Sequence, residues 1–566
     1  MKTSKNENLS IVILLGSFAV ALALRLIRLG SQPLGDMEAS FALQALAIAR
    51  KGATSFGAFP AYAGLTGLDF YLFSAGNFMA RFWFALAGAL VVFVPWLFRE
   101  RIGHWPALLL AVVLSISPDM VGLSRIIGSP MMAFVFLLLA LGLFFKQRPI
   151  LAGGAFALAL MSGSGFWMGL FILGVSVLLY KTVFKDEPLM DMLSLEERKA
   201  FWPKLGIAFG ATLLVVGTGF FLAPANLSGI FAGLVTFIQG FAAQRTTALF
   251  QIPLALVAYT VEALIIGLWG SIRAILVRDR LGVFLLIWWL FGLVFILLYP
   301  AGSAADIIWV TFPLWLLTVR TMFFAWRLPE TSRGIMVLTT ILVVAIFAFL
   351  LLVYRGLINP TLLQELRVNY ILALIGGAVL LVAIVLLVSF GWSEDVALSG
   401  LILGLAIVFV TGLFALSVHS TGMAPERSWE LWYPQESQVT TVWLRGTLDD
   451  IQDWNASGKG AVEIVVSDYD RPGLRWLLRD DPEVEFVSYA APQSEPGILI
   501  TSAQEMPEIA GGYRGQDLVW ESRPLWSQMD AFDYLSWLLT RDVPVVTENV
   551  IIWVRTDLMP DAQFSQ

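Results

Sequence analysis

Thirteen apolar stretches follow one another through the first three quarters of the chain, near residues 10–29, 78–98, 106–118, 130–146, 150–165, 166–181, 205–223, 251–276, 281–299, 307–320, 334–354, 370–390 and 398–418. Windows of about 19 apolar residues are the signature of membrane helices. The opening "MKTSKNENLS" followed by an apolar run reads as an uncleaved signal-anchor, because no small-x-small cleavage site precedes polar sequence. Cations recur in alternate connections, at Arg99/Arg101, Lys146/Arg148, Lys181 to Lys204, Arg278/Arg280 and Arg320 to Arg333. The positive-inside rule then puts the N-terminus in the cytoplasm, and an odd number of spans sends the tail outside. Asp36, Glu38, Asp69, Arg125, Arg245 and Arg367 fall on that outer side.

After Pro425 the period changes. "AVEIVVSD" (461–468), "EFVSYA" (485–490), "GILITSA" (497–503) and "ENVIIWVRTD" (548–557) are short β-rich runs, separated by helical patterns near 436–454, 473–479 and 527–539. Such alternation predicts an α/β domain over 425–566 behind a transmembrane domain over 1–424. The tail holds no GxGxxG or P-loop spacing, so a docking or lid role fits it better than nucleotide binding. The fold class expected is a polytopic α-helical membrane protein with a C-terminal extracytoplasmic α/β domain.

Composition excludes a soluble globule: 58% of residues are hydrophobic and 14% charged, with a mean hydropathy of +0.78. Cysteine is absent, which removes disulfides, thiolate metal sites and a Cys nucleophile. His104 and His419 lie far apart, so a His-based metal centre is not expected. The net charge of −6 divides into +8 over residues 1–424 and −14 over 425–566. An acidic tail argues against nucleic acid or anionic headgroups as its partner.

Against this background a few polar residues carry the candidate chemistry. In "QPLGDMEASF" (32–41), Asp36 is expected as N-cap of a helix from about Met37 to Arg50, with Glu38 in its first turn complementing the dipole. Both acids also stand one step outside a span, where they could act on a substrate. Arg125, in "SPDMVGLSRIIGSP", and Arg245, in "PANLSGIFAGLVTFIQGFAAQRTTALF", could each grip a phosphate bidentately or snorkel at the interface. Glu262 falls near the middle of its span, a functional or pairing position by default. The 21 Trp residues read mostly as interface belts.

The succession "LRLIRLGSQPLGDMEA", then "NFMARFWFALAGALVVFVPWLFRERIGHWPALLLAVVLSISPDMVGLSRIIG", resembles the opening of the GT-C membrane glycosyltransferases, which include protein O-mannosyltransferases and lipid A aminoarabinose transferases. The matching positions are Asp36 with Glu38, Ala80-Arg81, Ser117-Pro118 and Ser124-Arg125. "ADIIWVTFPLWLLT", "LRWLLRDDPEVEFV" and "ENVIIWVRTDL" are similar to the flippase-associated branch of archaeal-type glycosylation clusters. The chain departs from the pattern at Met37, which splits the acidic pair, at Ser129, where the branch has Asp, at "SGSG" (162–165), where a Lys-Glu pair is expected, and at Asp306, where a basic residue is expected.

The resemblance implies transfer of a sugar from a polyprenyl-phosphate donor to an extracytoplasmic lipid, glycan or protein acceptor, with inversion. Asp36 would be the general base, Glu38 would orient the acceptor or share that role, and Arg125 or Arg245 would hold the donor phosphate. No cofactor is implied, a divalent metal being left open, and the tail could dock a membrane protein partner. Because each departure removes a charge, a second interpretation stands beside the first: a non-catalytic GT-C homologue serving as a scaffold or flippase accessory. A secondary transporter is less well supported, since no inverted repeat is evident and Glu262 is nearly alone within the spans.

Overall fold

The computed structural model describes residues 2–51, 57–184, 195–325, 332–359, 364–421, 429–432, 441–455, 462–489, 495–503 and 511–559. Every expected span coincides with a helix. Ten helices among the described residues are long and apolar enough to cross a membrane, from Glu7–Leu26 to Glu394–Ser420. Three more, His104–Ile116, Met131–Phe145 and Pro149–Leu160, have 13, 15 and 12 residues, below the ~20 needed for a hydrocarbon layer about 30 Å thick. The thirteen expected spans are therefore ten long helices and three short ones.

The short helices are cut by residues that cannot continue a helix. Ser117 is extended ahead of Pro118 (φ −70°, ψ 125°), as the residue before a proline prefers. Gly128 (φ +87°) and Gly163 (φ +82°) take left-handed turns that residues with a Cβ rarely adopt. A further break lies inside Gln251–Val277, where Thr260 leaves helical geometry (φ −144°, ψ 34°). Between these elements a broad apolar core packs Trp309, Phe134 and Phe312 edge to face.

The tail folds as one five-stranded sheet of order β2-β1-β3-β5-β4, with β1 Ile464–Ser467, β2 Val484–Val487, β3 Ile498–Ser502, β4 Tyr513–Pro524 and β5 Val545–Arg555. β1 lies parallel to β2 and β3, whereas β5 runs antiparallel to β3 and β4. Four strands fall on the expected runs. β4 does not: "YRGQDLVWESRP" is polar because it is the half-exposed edge of the sheet. Helices Thr441–Asn455, Pro472–Leu477 and Ala531–Thr540 stand where helical patterns are expected. The expected domain boundary at 424/425, residues 436–440 of the first tail helix and Ala461 lie outside the described residues.

The sheet domain docks on one end of the bundle. Trp476 enters an apolar cluster with Leu34, Phe70 and Phe84 and donates its indole N–H to Asn77 Oδ1 at 2.8 Å. Arg50 bonds Asp480 at 3.0 Å, Arg479 reaches the Ala75 carbonyl at 2.9 Å, and Arg367 lies over Phe532 at 4.4 Å. The opposite end gathers cations: Lys146 pairs with Glu100, Arg101 covers Phe145, and Arg320 pairs with Asp279.

Candidate active site

A cavity of about 560 Å³ opens at the end of the bundle that carries the sheet domain. The helix breaks build it. Gly128, Ser129 and Pro130 form one wall, Ser164 and Gly165 another, and Leu431, Trp432 and Trp526 come from the chain beyond the last long helix. Two carboxylates line it, Asp36 and Asp306, with the hydroxyls of Ser303, Thr236, Thr246 and Thr247; the described lining includes no Lys, Arg or His. Tyr299 closes one side, its hydroxyl donating to the Phe237 carbonyl at 2.7 Å.

Asp36 faces this cavity, but not as a cap. The helix runs Asp36–Ala49 and its N-cap is Gly35, extended at ψ 166°, which leaves Asp36 as the first helical residue. Its carboxylate is held from the sheet domain instead. Oδ1 accepts the backbone N–H of Gly473 at 2.8 Å, and Oδ2 lies 3.8 Å from Nη1 of Arg471.

Glu38 does not share that setting. Its side chain and that of Arg81 are each 7% exposed, and the two form a bidentate pair through Nε (3.0 Å) and Nη2. Glu38 Oε1 also accepts the Ile127 N–H at 3.0 Å, while Arg81 donates to the carbonyls of Leu29, Gln32 and Pro33. The pair fastens the first loop to two neighbouring helices, away from the cavity lining.

Arg125 is likewise interior. Its guanidinium donates to the carbonyls of Leu24, Arg25, Ile27, Arg28 and Thr421, closing the frayed end of the first helix onto the end of the last. It does not line the cavity. Arg245 stands closer: its neighbours Thr246 and Thr247 form part of the wall. Its Nη2 donates to the carbonyls of Leu297 and Tyr299, both at 2.8 Å, and its Nη1 is buried with no hydrogen-bond partner among the described residues. Glu262 lies two residues past the Thr260 break, outside the cavity lining.

The departures from the family pattern converge here. Ser129 is turned onto the Leu123 carbonyl at 2.6 Å, and "SGSG" supplies the turn at Gly163 and a neutral wall at Ser164 and Gly165. Gly165 has no room for larger side chains, since a Cβ would meet Pro130 at 3.2 Å. Asp306 bonds Ser303 in a capping box at the start of its helix. Sequence reasoning missed two other features. The buried trio Tyr259, Glu430 and Arg541 ties the broken helix to the sheet domain, with Tyr259 donating to Glu430 at 2.6 Å and the Trp432 ring packed against Tyr259, centroids 3.8 Å apart and tilted by 38°. The other is Arg471. No local pattern marks either, because Tyr259 meets Glu430 and Arg471 meets Asp36 across long stretches of chain. Among the described residues no group of three or more His, Asp or Glu is placed to hold a metal ion.

No protein-family model matches the chain, and no curated protein matches it. Among solved structures it is similar to ArnT from Cupriavidus metallidurans bound to undecaprenyl phosphate, at TM-score 0.52 and 17% identity over 97% of this chain and 99% of that one. The apo state of the same ArnT gives TM-score 0.50 and 16% identity over 99% and 100%. The archaeal oligosaccharyltransferase AglB from Archaeoglobus fulgidus, in complex with an inhibitory peptide and a dolichol-phosphate, gives 0.44 and 13% over 88% and 70%. The likeness to ArnT extends over 97% of this chain and shows a shared fold.

Proposed function

We propose that the protein is a membrane glycosyltransferase that moves a sugar from a polyprenyl-phosphate donor to a hydroxyl acceptor on the extracytoplasmic side. The observation that carries this is Asp36, an acid lining a 560 Å³ cavity, in a fold shared with a protein that binds undecaprenyl phosphate. Asp36 takes the proton of the acceptor hydroxyl as its oxygen bonds to the anomeric carbon; the bond from that carbon to the phosphate oxygen breaks, and polyprenyl phosphate leaves with inversion. Arg245 binds the donor phosphate through Nη1. Arg125 and Glu38 act as positioning residues that hold the loop carrying Asp36. The likeness to the flippase-associated branch stays a matter of sequence motifs and fits the same chemistry.

The test is transfer of a radiolabelled hexose from undecaprenyl phosphate, in proteoliposomes supplied with acceptors extracted from host membranes. Arg245→Gln should raise the donor KM about tenfold, since a hydrogen bond to a charged group contributes about 1.5–3 kcal/mol, with kcat little changed; an unchanged KM would remove Arg245 from the phosphate site. A reporter fused after Lys199 should read cytoplasmic and one after Asp468 extracytoplasmic. Both on one side of the membrane would defeat the assignment of a common outer face.

One observation favours the scaffold alternative: the described lining of the cavity contains no cation. A protein that shows no transfer, no retention of undecaprenyl phosphate through purification and a stoichiometric membrane partner would be that scaffold.

A further inference from the structure

The sheet domain sits on Asp36 in a manner that a simple cover would not require. Helix Pro472–Leu477 is anchored in the membrane domain by Trp476, which packs on Phe70 at 5.7 Å and bonds Asn77. Arg50 and Arg479 brace the following residues, Arg50 through the Arg479 carbonyl at 3.1 Å and Asp480 at 3.0 Å. This anchoring delivers a hydrogen bond and a charge to one carboxylate: the Gly473 N–H donates at 2.8 Å and the Arg471 guanidinium pairs with it at 3.8 Å. Arg471 is itself oriented by the sheet. Its Nη2 lies 3.4 Å from Glu548 Oε1 on β5, which also accepts the Tyr469 hydroxyl at 2.9 Å, while Arg523 of β4 reaches the other Glu548 oxygen at 3.5 Å. Burial, then the hydrogen bond and charge of Glu548, push the Tyr469 phenol upward, so it remains a neutral donor.

We infer that the C-terminal domain completes the active site, with Arg471 a positioning residue that keeps the Asp36 carboxylate aimed into the cavity. The inference rests on Asp36 being the base. The charged and titratable groups around the pair are Glu548, Tyr469, Glu521 and Arg523 on the sheet side and Asp306 in the cavity wall. Arg471 is the cation within 4 Å of Asp36 among the described ion pairs. Removing it leaves the carboxylate held by the Gly473 N–H alone among these contacts and free to turn from the acceptor, so the loss falls on kcat and not on donor binding.

The experiment measures hexose transfer by the full-length protein in proteoliposomes, normalised to folded protein. Arg471→Gln should lower kcat roughly tenfold with donor KM and thermal midpoint unchanged, and Arg471→Lys should restore most of the parental rate. Glu548→Gln, which removes a partner that orients Arg471, should lower kcat by a smaller factor. A purely structural Arg471 would lower the yield of folded protein and leave kcat per folded molecule at the parental value, and that result would overturn the inference. If Asp36→Asn transfers normally, the assignment of Asp36 fails and the inference with it. If Asp36→Asn is inactive while Arg471→Gln keeps the parental kcat, the inference alone fails.

Discussion

Asp36→Asn should give a folded protein that has lost sugar transfer by roughly 10²-fold or more. The substitution is close to isosteric, and the side-chain oxygen that accepts the Gly473 N–H survives, so the contact that seats the sheet domain is retained. Gly35 rather than Asp36 is the N-cap, and the helix therefore loses no cap. What disappears is the negative charge near Arg471, a partly exposed ion pair at 3.8 Å worth about 0–1 kcal/mol. A thermal midpoint within about 2 °C of the parent follows. The amide cannot take a proton from the acceptor, so the loss falls on kcat. Asp306→Asn is the control: the other carboxylate on the wall is engaged by Ser303, and its variant should keep transfer within tenfold. Parental rates in Asp36→Asn with loss in Asp306→Asn would move the base to the opposite wall of the cavity.

The helices were legible because apolar runs and Pro or Gly breaks are local properties. The cavity was not read from the sequence: only the fold shows that the breaks at Gly128, Pro130 and Gly163 border one space, left beside helices that stop inside the membrane domain. Asp36 was legible as an acid just outside a span. Its pairing with Glu38 was not, although helix geometry contains the answer: residues two apart are turned by about 200°, so one carboxylate faces the cavity and the other the interior. Arg125 was legible as an important cation, but its partners are backbone carbonyls at two helix ends, and the sequence does not show which carbonyls lack partners. Arg471, Glu430 and Trp432 were beyond reach because their partners Asp36 and Tyr259 lie on distant parts of the chain. β4 was missed because an edge strand keeps its polar face.

Arg81→Met should be the most destabilising single change at this end of the bundle. It leaves Glu38 as a carboxylate 7% exposed with the Ile127 N–H as its remaining hydrogen bond among the described residues, and it strips donors from the carbonyls of Leu29, Gln32 and Pro33. Breaking a buried pair from one side costs about 3–5 kcal/mol; much of the protein should fail to accumulate in the membrane, and any transfer should fall in step with the folded fraction. Glu38→Gln is milder. The amide oxygen still accepts from Ile127 or Arg81, and Arg81 keeps three carbonyl partners, so the cost is that of weakened hydrogen bonds, about 1–3 kcal/mol. Fluorescence-monitored unfolding combined with the transfer assay separates the two roles open to Glu38. As a staple for the loop that carries Asp36, it should yield a Glu38→Gln protein of lower thermal midpoint that transfers sugar within tenfold of the parent. An unchanged midpoint with transfer reduced by 10²-fold or more would instead make Glu38 the proton acceptor and Asp36 its support.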